Sequence, residues 1–316
     1  MSRDPVKPGT KAWSLLSISD LSARDLGSLH ERMKALKPAM KRRDVLSDLR
    51  GVAVGLIFEK PSTSTRTSFE VATMRLGGQS IYMGADELQL SRGEPIKDTA
   101  RILGDYLDVI VGRVYSHDTL KVLAEYSGVP VVNGLSDLEH PTQVISDLFT
   151  ISEAKGKLRG LTLAFIGDGD NVCNSLLLGA SLVGMNVVAA CPSGYLPNPD
   201  VLRRAGENAK RSGSTVRVVD DPKEAAVDSD VLYTDVWVSM GEEKETSRRL
   251  RAFRGFQINS ETLKLAASDA IVMHCLPAHR GLEITDDVIE GRQSVVWRQA
   301  ENKLYGAAAV LDLVTS

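Results

Sequence analysis

Short apolar runs alternate with helix-patterned segments along most of this 316-residue chain, and that alternation restricts the fold more than any other feature. Strand-like runs fall at 52–58, 80–83, 108–114 and 129–133, then at 161–166, 186–191, 215–219, 230–237 and 270–276. Between them lie helix patterns. One begins at Ser22, with Asp25 placed as in a capping box and Leu26, Leu29, Met33 and Leu36 at helical spacing. Others begin near Thr67 and cover 95–107, 118–126, 140–156, 172–183, 198–212, 222–227 and 300–313. Strands separated by helices predict mostly parallel sheets with helices on both faces. The length favours two domains of about 150 residues each. The expected fold is therefore α/β: two doubly wound domains, each with a central parallel sheet, joined by helices, with the active site in the interdomain cleft. The boundary is expected near 136–139, with residues 1–137 and 138–299 forming the domains. The closing helix at 300–316 is expected to pack back on the first, and the polar, Pro-containing residues 1–13 read as a loose arm.

Composition removes several function classes. A net charge of −3 gives no general reason to bind nucleic acid. The clusters Lys41-Arg42-Arg43 and Arg248-Arg249 read as solvated helix faces. Cys173, Cys191 and Cys275 lack metal-type spacing and are expected to be reduced thiols. There is no signal-like N-terminal apolar region and no apolar run of bilayer length, so no membrane association and a cytoplasmic location are expected.

The chemistry concentrates where strands end. Phe58-Glu59-Lys60-Pro61 leads into Ser62-Thr63-Ser64-Thr65-Arg66-Thr67-Ser68, six hydroxyl residues in seven beside an arginine. A strand, a hydroxyl-rich turn and a helix N-terminus make an anion site, because the first helical N–H groups lack internal partners and carry the positive end of the dipole. A helix cap alone needs one or two hydroxyls. Arg113, His140, Asn171, Asp235, Ser239 and Cys275 also stand at strand or helix ends, the edge where open α/β sheets bind ligands. Asp235 ends an apolar strand and needs a cation from the protein or from a substrate amine. Gly167-Asp168-Gly169-Asp170-Asn171 is half a dinucleotide fingerprint, but Cys173 and Asn174 stand where its third glycine belongs, which disfavours a nicotinamide dehydrogenase. Ser239-Met240-Gly241-Glu242-Glu243 reads either as a simple turn or as a loop over the site.

Taken together, these blocks resemble the aspartate/ornithine carbamoyltransferases, and more closely their ornithine branch. The resemblance spans about residues 20–313. It rests on the 58–70 segment, Gln89-Leu90-x-x-Gly93-Glu94, Arg113 and His140-Pro141-Thr142-Gln143. Asp168 to Asn171, Asp235-Val236-Trp237 with Ser239-Met240-Gly241, and His274-Cys275-Leu276-Pro277 complete it. It implies that carbamoyl phosphate binds the first domain and L-ornithine the second, giving citrulline and phosphate with no metal or organic cofactor. By the same resemblance, carbamoyl phosphate is held by Ser62, Thr63, Ser64, Thr65, Arg66, Arg113, His140, Gln143, Cys275, Leu276 and Lys303. Gln89 reaches a neighbouring subunit's site in a homotrimer or a multiple of trimers. Asn171, Asp235, Ser239 and Met240 hold ornithine, and Arg113, His140, Asp235 and Cys275 are the catalytic set.

Two positions depart from the family pattern. Ser64 replaces an arginine in the ungapped register; a shifted register would restore the pattern only with compensating gaps. Lys303 replaces another arginine, keeping the charge but losing the bidentate fork. Both changes thin the guanidinium set around a phosphate, unless Arg66 compensates. A paralogue acting on another amine, or a non-catalytic binding protein, remains the alternative reading.

Overall fold

The computed structural model describes residues 12–84, 86–239 and 243–316. The first stretch of elements is α1 (Ala23–Lys41), β1 (Ala53–Phe58), α2 (Ser64–Arg75), β2 (Gln79–Gly84), α3 (Ile96–Tyr106), β3 (Val109–Arg113), α4 (His117–Tyr126) and β4 (Val131–Leu135). The second begins with α5 (Pro141–Lys155), β5 (Thr162–Ile166), α6 (Asn171–Leu182), β6 (Asn186–Ala190), α7 (Pro199–Ser212) and β7 (Val216–Val219). It continues through α8 (Pro222–Ala226), β8 (Val231–Thr234), α9 (Thr246–Ala252), α10 (Ser260–Leu265), β9 (Ile271–His274), α11 (Asp286–Ile289) and α12 (Val296–Thr315). Both sheets are parallel throughout, with strand orders β2-β1-β3-β4 and β7-β6-β5-β8-β9.

Contacts divide the chain into two compact units. One holds residues 1–21, 31–137 and 304–316; the other holds 22–30 and 138–303. Helices α1 and α12 thus contribute to both. The capping box expected at Ser22 is present: the Ser22 N–H donates to Asp25 Oδ2 at 2.8 Å, and the Asp25 N–H to Ser22 Oγ at 3.2 Å. The central strands of the first sheet are buried on both faces, as parallel strands covered twice must be: β3 is buried at every position and β1 at all but its first.

Several boundaries differ from the sequence expectation. Strand β8 ends at Thr234 rather than 237, which releases Asp235 from the sheet. Strand β4 runs two residues later than the apolar run suggests. Helix α12 starts at Val296, a turn early. The short helices α9, α10 and α11 carry no strong periodicity and were not anticipated.

Candidate active site

In the first sheet the winding reverses between β1 and β3, the place where parallel α/β sheets open a ligand crevice. Phe58 at the end of β1 pairs with Arg113 at the end of β3, and the Glu59 N–H donates to the Arg113 carbonyl at 2.8 Å. The hydroxyl-rich turn and the Arg113 side chain therefore leave the sheet from adjacent strand ends. Helix α2 begins at Ser64, three residues before the sequence predicts. The cause is local: Ser62 Oγ accepts the Thr65 N–H at 3.1 Å, so the cap lies upstream and residues 64–66 are drawn into the first turn. Thr65 is buried, and its Oγ1 makes no hydrogen bond among the described residues. A hydroxyl buried in this way is a donor suited to a ligand oxygen.

Arg66 is placed differently from the expectation. Its Nε donates to Glu70 at 3.0 Å and its guanidinium lies 3.5 Å over the Tyr82 ring, so one carboxylate and one ring already engage it. Its compensation for Ser64 is correspondingly weaker than the sequence suggests. Ser64 and Ser62 are half-buried at the same turn, and Thr63 is exposed. Gln89 lies in a 3-10 turn (Gln89–Arg92) with its side chain exposed.

In the second sheet the winding reverses between β5 and β8. Asn171 opens α6 just after β5, and Asp235 follows β8. His140 is the residue before α5, buried, and its N–H donates to Ser175 Oγ at 3.0 Å; Ser175 Oγ in turn donates to Glu139 Oε2 at 3.0 Å. Asn174 Nδ2 donates to the Leu138 carbonyl at 3.0 Å. Helix α6 thus fixes the entry to α5 without using the imidazole. Ser239 Oγ donates to Asp170 Oδ2 at 3.3 Å, and Met240 lies outside the described residues.

Asp235 and Cys275 form the electrostatic centre of this unit. Both are buried, with the Cys275 sulfur and an Asp235 carboxyl oxygen within 4.8 Å of each other. Asp235 Oδ1 also accepts the Val236 N–H at 2.7 Å. No lysine or arginine among the described residues pairs with this carboxylate. Burial first of all raises its pKa, against the opposing pull of His274. Burial, then the nearby Asp235, pushes the Cys275 thiol well above its usual range. Cys275 therefore stays a thiol, which suits it to placing a substrate and not to removing a proton.

The ligand atoms of Asp235, His274 and Cys275 lie within 4.8 Å of one another, the one metal-like group found among the described residues. The histidine is already committed, however. His274 Nδ1 accepts the Leu276 N–H at 2.9 Å and Nε2 faces Glu283 Oε1 at 3.1 Å. A cation there would displace a hydrogen bond that shapes the next residue. Leu276 has φ +60, a left-handed conformation that an L side chain adopts at a cost, and the His274 contact holds its backbone in place.

The partial dinucleotide fingerprint has a packing explanation. A Cβ on Gly169 would lie 2.3 Å from the Pro197 nitrogen, so the glycine is needed where the chain 195–197 crosses it. Asp168 is buried in an ion pair with Arg249, whose Nη1 also donates to the Trp237 carbonyl at 3.1 Å. These contacts account for Gly169 and Asp168 without a dinucleotide.

The sequence reading missed a buried polar cluster. Asp147, one turn after Gln143 on α5, accepts from Gln143 Nε2, Gln299 Nε2 and Tyr233 Oη, each at 2.8 Å. Burial lifts its pKa to about 6 despite these donors and the positive charge of Lys303. Lys303 is itself buried, and its charge also acts on Cys275. The available signal was a carboxylate inside a helix whose first eleven residues are all buried, a position that demands partners.

Comparison with known proteins identifies the family. Residues 13–153 match the family described as aspartate/ornithine carbamoyltransferase, carbamoyl-P binding domain, and residues 159–314 match the Asp/Orn binding domain of the same family. An ornithine carbamoyltransferase of Archaeoglobus fulgidus is 51% identical over 297 residues, covering 94% of this chain and 95% of that protein. The structure of ornithine carbamoyltransferase from Pyrococcus furiosus superposes with a TM-score of 0.92 at 47% identity, over 96% of this chain and 97% of that one. The Thermus thermophilus enzyme gives 0.86 at 42% identity, over 96% and 99%. With both domain types matched in order over nearly its whole length, the chain belongs to the aspartate/ornithine carbamoyltransferase family.

Proposed function

We propose that this protein transfers the carbamoyl group of carbamoyl phosphate to the δ-amine of L-ornithine, giving L-citrulline and phosphate. Two observations carry the reading, a ligand-ready strand end in each unit. One is a capped hydroxyl turn that leaves β1 next to the Arg113 end of β3, with a buried Thr65 hydroxyl that makes no hydrogen bond among the described residues. The other is a buried Asp235 carboxylate that no lysine or arginine pairs among the described residues. The first is suited to a phosphate and a polarised carbonyl, the second to an amino acid's ammonium group.

In this reading the turn at 62–65 and the start of α2 hold the phosphate, aided by the helix dipole. Thr65, Arg113 and His140 donate to the carbonyl oxygen, and Gln143, Leu276 and Cys275 surround the rest of the carbamoyl group. Asn171, Asp235, Ser239 and Met240 bind the α-amino acid end of ornithine. The neutral δ-nitrogen forms a bond to the carbamoyl carbon, negative charge builds on the carbonyl oxygen, the bond to the phosphate oxygen breaks with its electron pair, and the nitrogen's surplus proton passes to the departing phosphate. Fixed donors around that oxygen are worth about 3 kcal/mol each in comparable acyl transfers. A free alkyl amine has a pKa near ~10.4, so reaction is expected to speed up as pH rises and the neutral amine becomes abundant.

Assembly is proposed as a trimer of this chain, with the exposed Gln89 serving a neighbouring copy. Met74, Ile81 and Tyr106 of the first unit are large apolar side chains at least half exposed, which favours a self-association surface there. A cytoplasmic location is proposed with it; no described helix is long and apolar enough to cross a membrane.

The assay that tests the reading is citrulline formation from carbamoyl phosphate with ornithine, lysine, putrescine and aspartate offered in parallel. Ornithine is expected to be the preferred acceptor; preference for another amine would support the paralogue reading, and no transfer to any would support a binding protein. The Ser64 departure has its own test. Ser64→Arg is expected to lower the KM for carbamoyl phosphate by about tenfold, the value of one charge-assisted hydrogen bond to phosphate. An unchanged KM would mean that another cation already supplies that contact.

A further inference from the structure

We propose that Asp147 is a positioning residue that turns the Gln143 amide so that its Oε1 is the acceptor offered to the transferred group. The site thereby selects a carbamoyl group over an acetyl group of nearly the same size. The proposal rests on the carbamoyl-transfer reading and adds to it a determinant of donor specificity.

The argument begins with the valence of a carboxylate. Ionised, Asp147 can only accept hydrogen bonds. Gln143 stands four residues earlier on the same helix face, and its amide nitrogen meets Asp147 Oδ1 at 2.8 Å. The amide cannot be reversed in that place, because its oxygen would then face the carboxylate oxygen. Rotation of Asp147 is blocked as well. Gln299 Nε2 donates to the same Oδ1 at 2.8 Å and Tyr233 Oη donates to Oδ2 at 2.8 Å. Gln299 is held from its other end, since its Oε1 accepts the His274 N–H at 3.0 Å. Three elements, β8, β9 and α12, thus lock the carboxylate, and the carboxylate locks Gln143.

A merely structural cluster would satisfy both ends of the glutamine. Here Gln143 Oε1 is buried and accepts no hydrogen bond among the described residues. An acceptor buried in that way disfavours the protein on its own and favours any ligand that brings an N–H to it. A carbamoyl group carries an NH2 where an acetyl group carries a methyl. A site built around a fixed acceptor rejects the analogue lacking the donor, because the acceptor is then left unmet. The burial that raises the Asp147 pKa to about 6 leaves it ionised at neutral pH, as the acceptor-only role requires.

The experiment compares carbamoyl phosphate as substrate with acetyl phosphate as competitive inhibitor, at saturating ornithine and neutral pH. The quantity read is the ratio of the acetyl phosphate Ki to the carbamoyl phosphate KM. Asp147→Ala is expected to lower that ratio by about tenfold or more, through a raised KM with the Ki nearly unchanged. Asp147→Asn can keep an oxygen toward both glutamines and is expected to retain the ratio within about threefold. If the alanine variant does not fold, Asp147→Ser reads the same loss. A ratio unchanged in the alanine or serine variant overturns the proposal, and so does a ratio lost in the asparagine variant. Equal weakening of both ligands would show a structural role only and overturns it too. Wild-type protein that forms no citrulline would instead sink the carbamoyl-transfer reading itself, a result visible before any variant is made.

Discussion

Replacing His140 by alanine is expected to lower turnover by about 100-fold or more while leaving the fold intact, as loss of an oxyanion donor does elsewhere. The imidazole is buried at the entry to α5, and the backbone there has anchors of its own. The backbone there is fixed by the His140 N–H bond to Ser175 and by the Asn174 bond to the Leu138 carbonyl. Pro141 opens the helix and needs no side-chain cap. Thermal unfolding of the variant should therefore stay close to that of the parent while kcat collapses. Equal kcat in the two proteins would remove His140 from the chemistry; a collapse of both kcat and melting temperature would reassign it to packing.

Asp235→Asn is the second large effect. The reading gives its carboxylate to the substrate ammonium, and loss of one partner of a buried charge pair is expected to lower kcat/KM for ornithine by roughly 100-fold or more. Stability is expected to move the other way. Burial raises the folded-state pKa of Asp235 above its unfolded value, so the folded chain holds a proton more firmly. For such a group, stability is gained as pH falls and lost as pH rises through the folded pKa. Wherever the folded carboxylate is ionised it weighs against folding, and asparagine removes that weight while still accepting from the Val236 N–H. Denaturant midpoints for the two proteins, followed as pH rises from 4 to 8, check the sign: only the parent is expected to lose stability through this group. A variant that is both less stable and fully active would contradict the assignment.

Much of the scaffold was readable from the chain itself. Apolar runs of five or six residues flanked by helix patterns predicted β1, β3, β5 and β6 almost to the residue, because parallel strands buried on both faces leave no polar alternation to confuse the reading. Errors gathered where a single contact sets an end. One Ser62 hydroxyl moved the start of α2, and the chain turned out of the sheet after Thr234 in a run that stays apolar to Trp237. The site was legible as residue types at strand ends: Arg113, Asp235 and Cys275 stand beyond β-strands in the positions where a parallel sheet opens. The pairing of Arg66 with Glu70 and Tyr82 was not legible, since helix phase and a neighbouring strand decide it together. Nor was the Asp147 cluster, which joins residues from α5, β8 and α12 that no local pattern connects.

The chemistry rests on direct attack of the ornithine δ-nitrogen on the carbamoyl carbon. Incubating the protein with 13C-labelled carbamoyl phosphate and δ-15N ornithine, and following the carbon by NMR, reads that bond directly. Direct transfer places the 13C in the ureido group of citrulline with a one-bond coupling to 15N, at the rate phosphate appears. Label recovered as bicarbonate, or phosphate released with no carbon–nitrogen coupling, would contradict it.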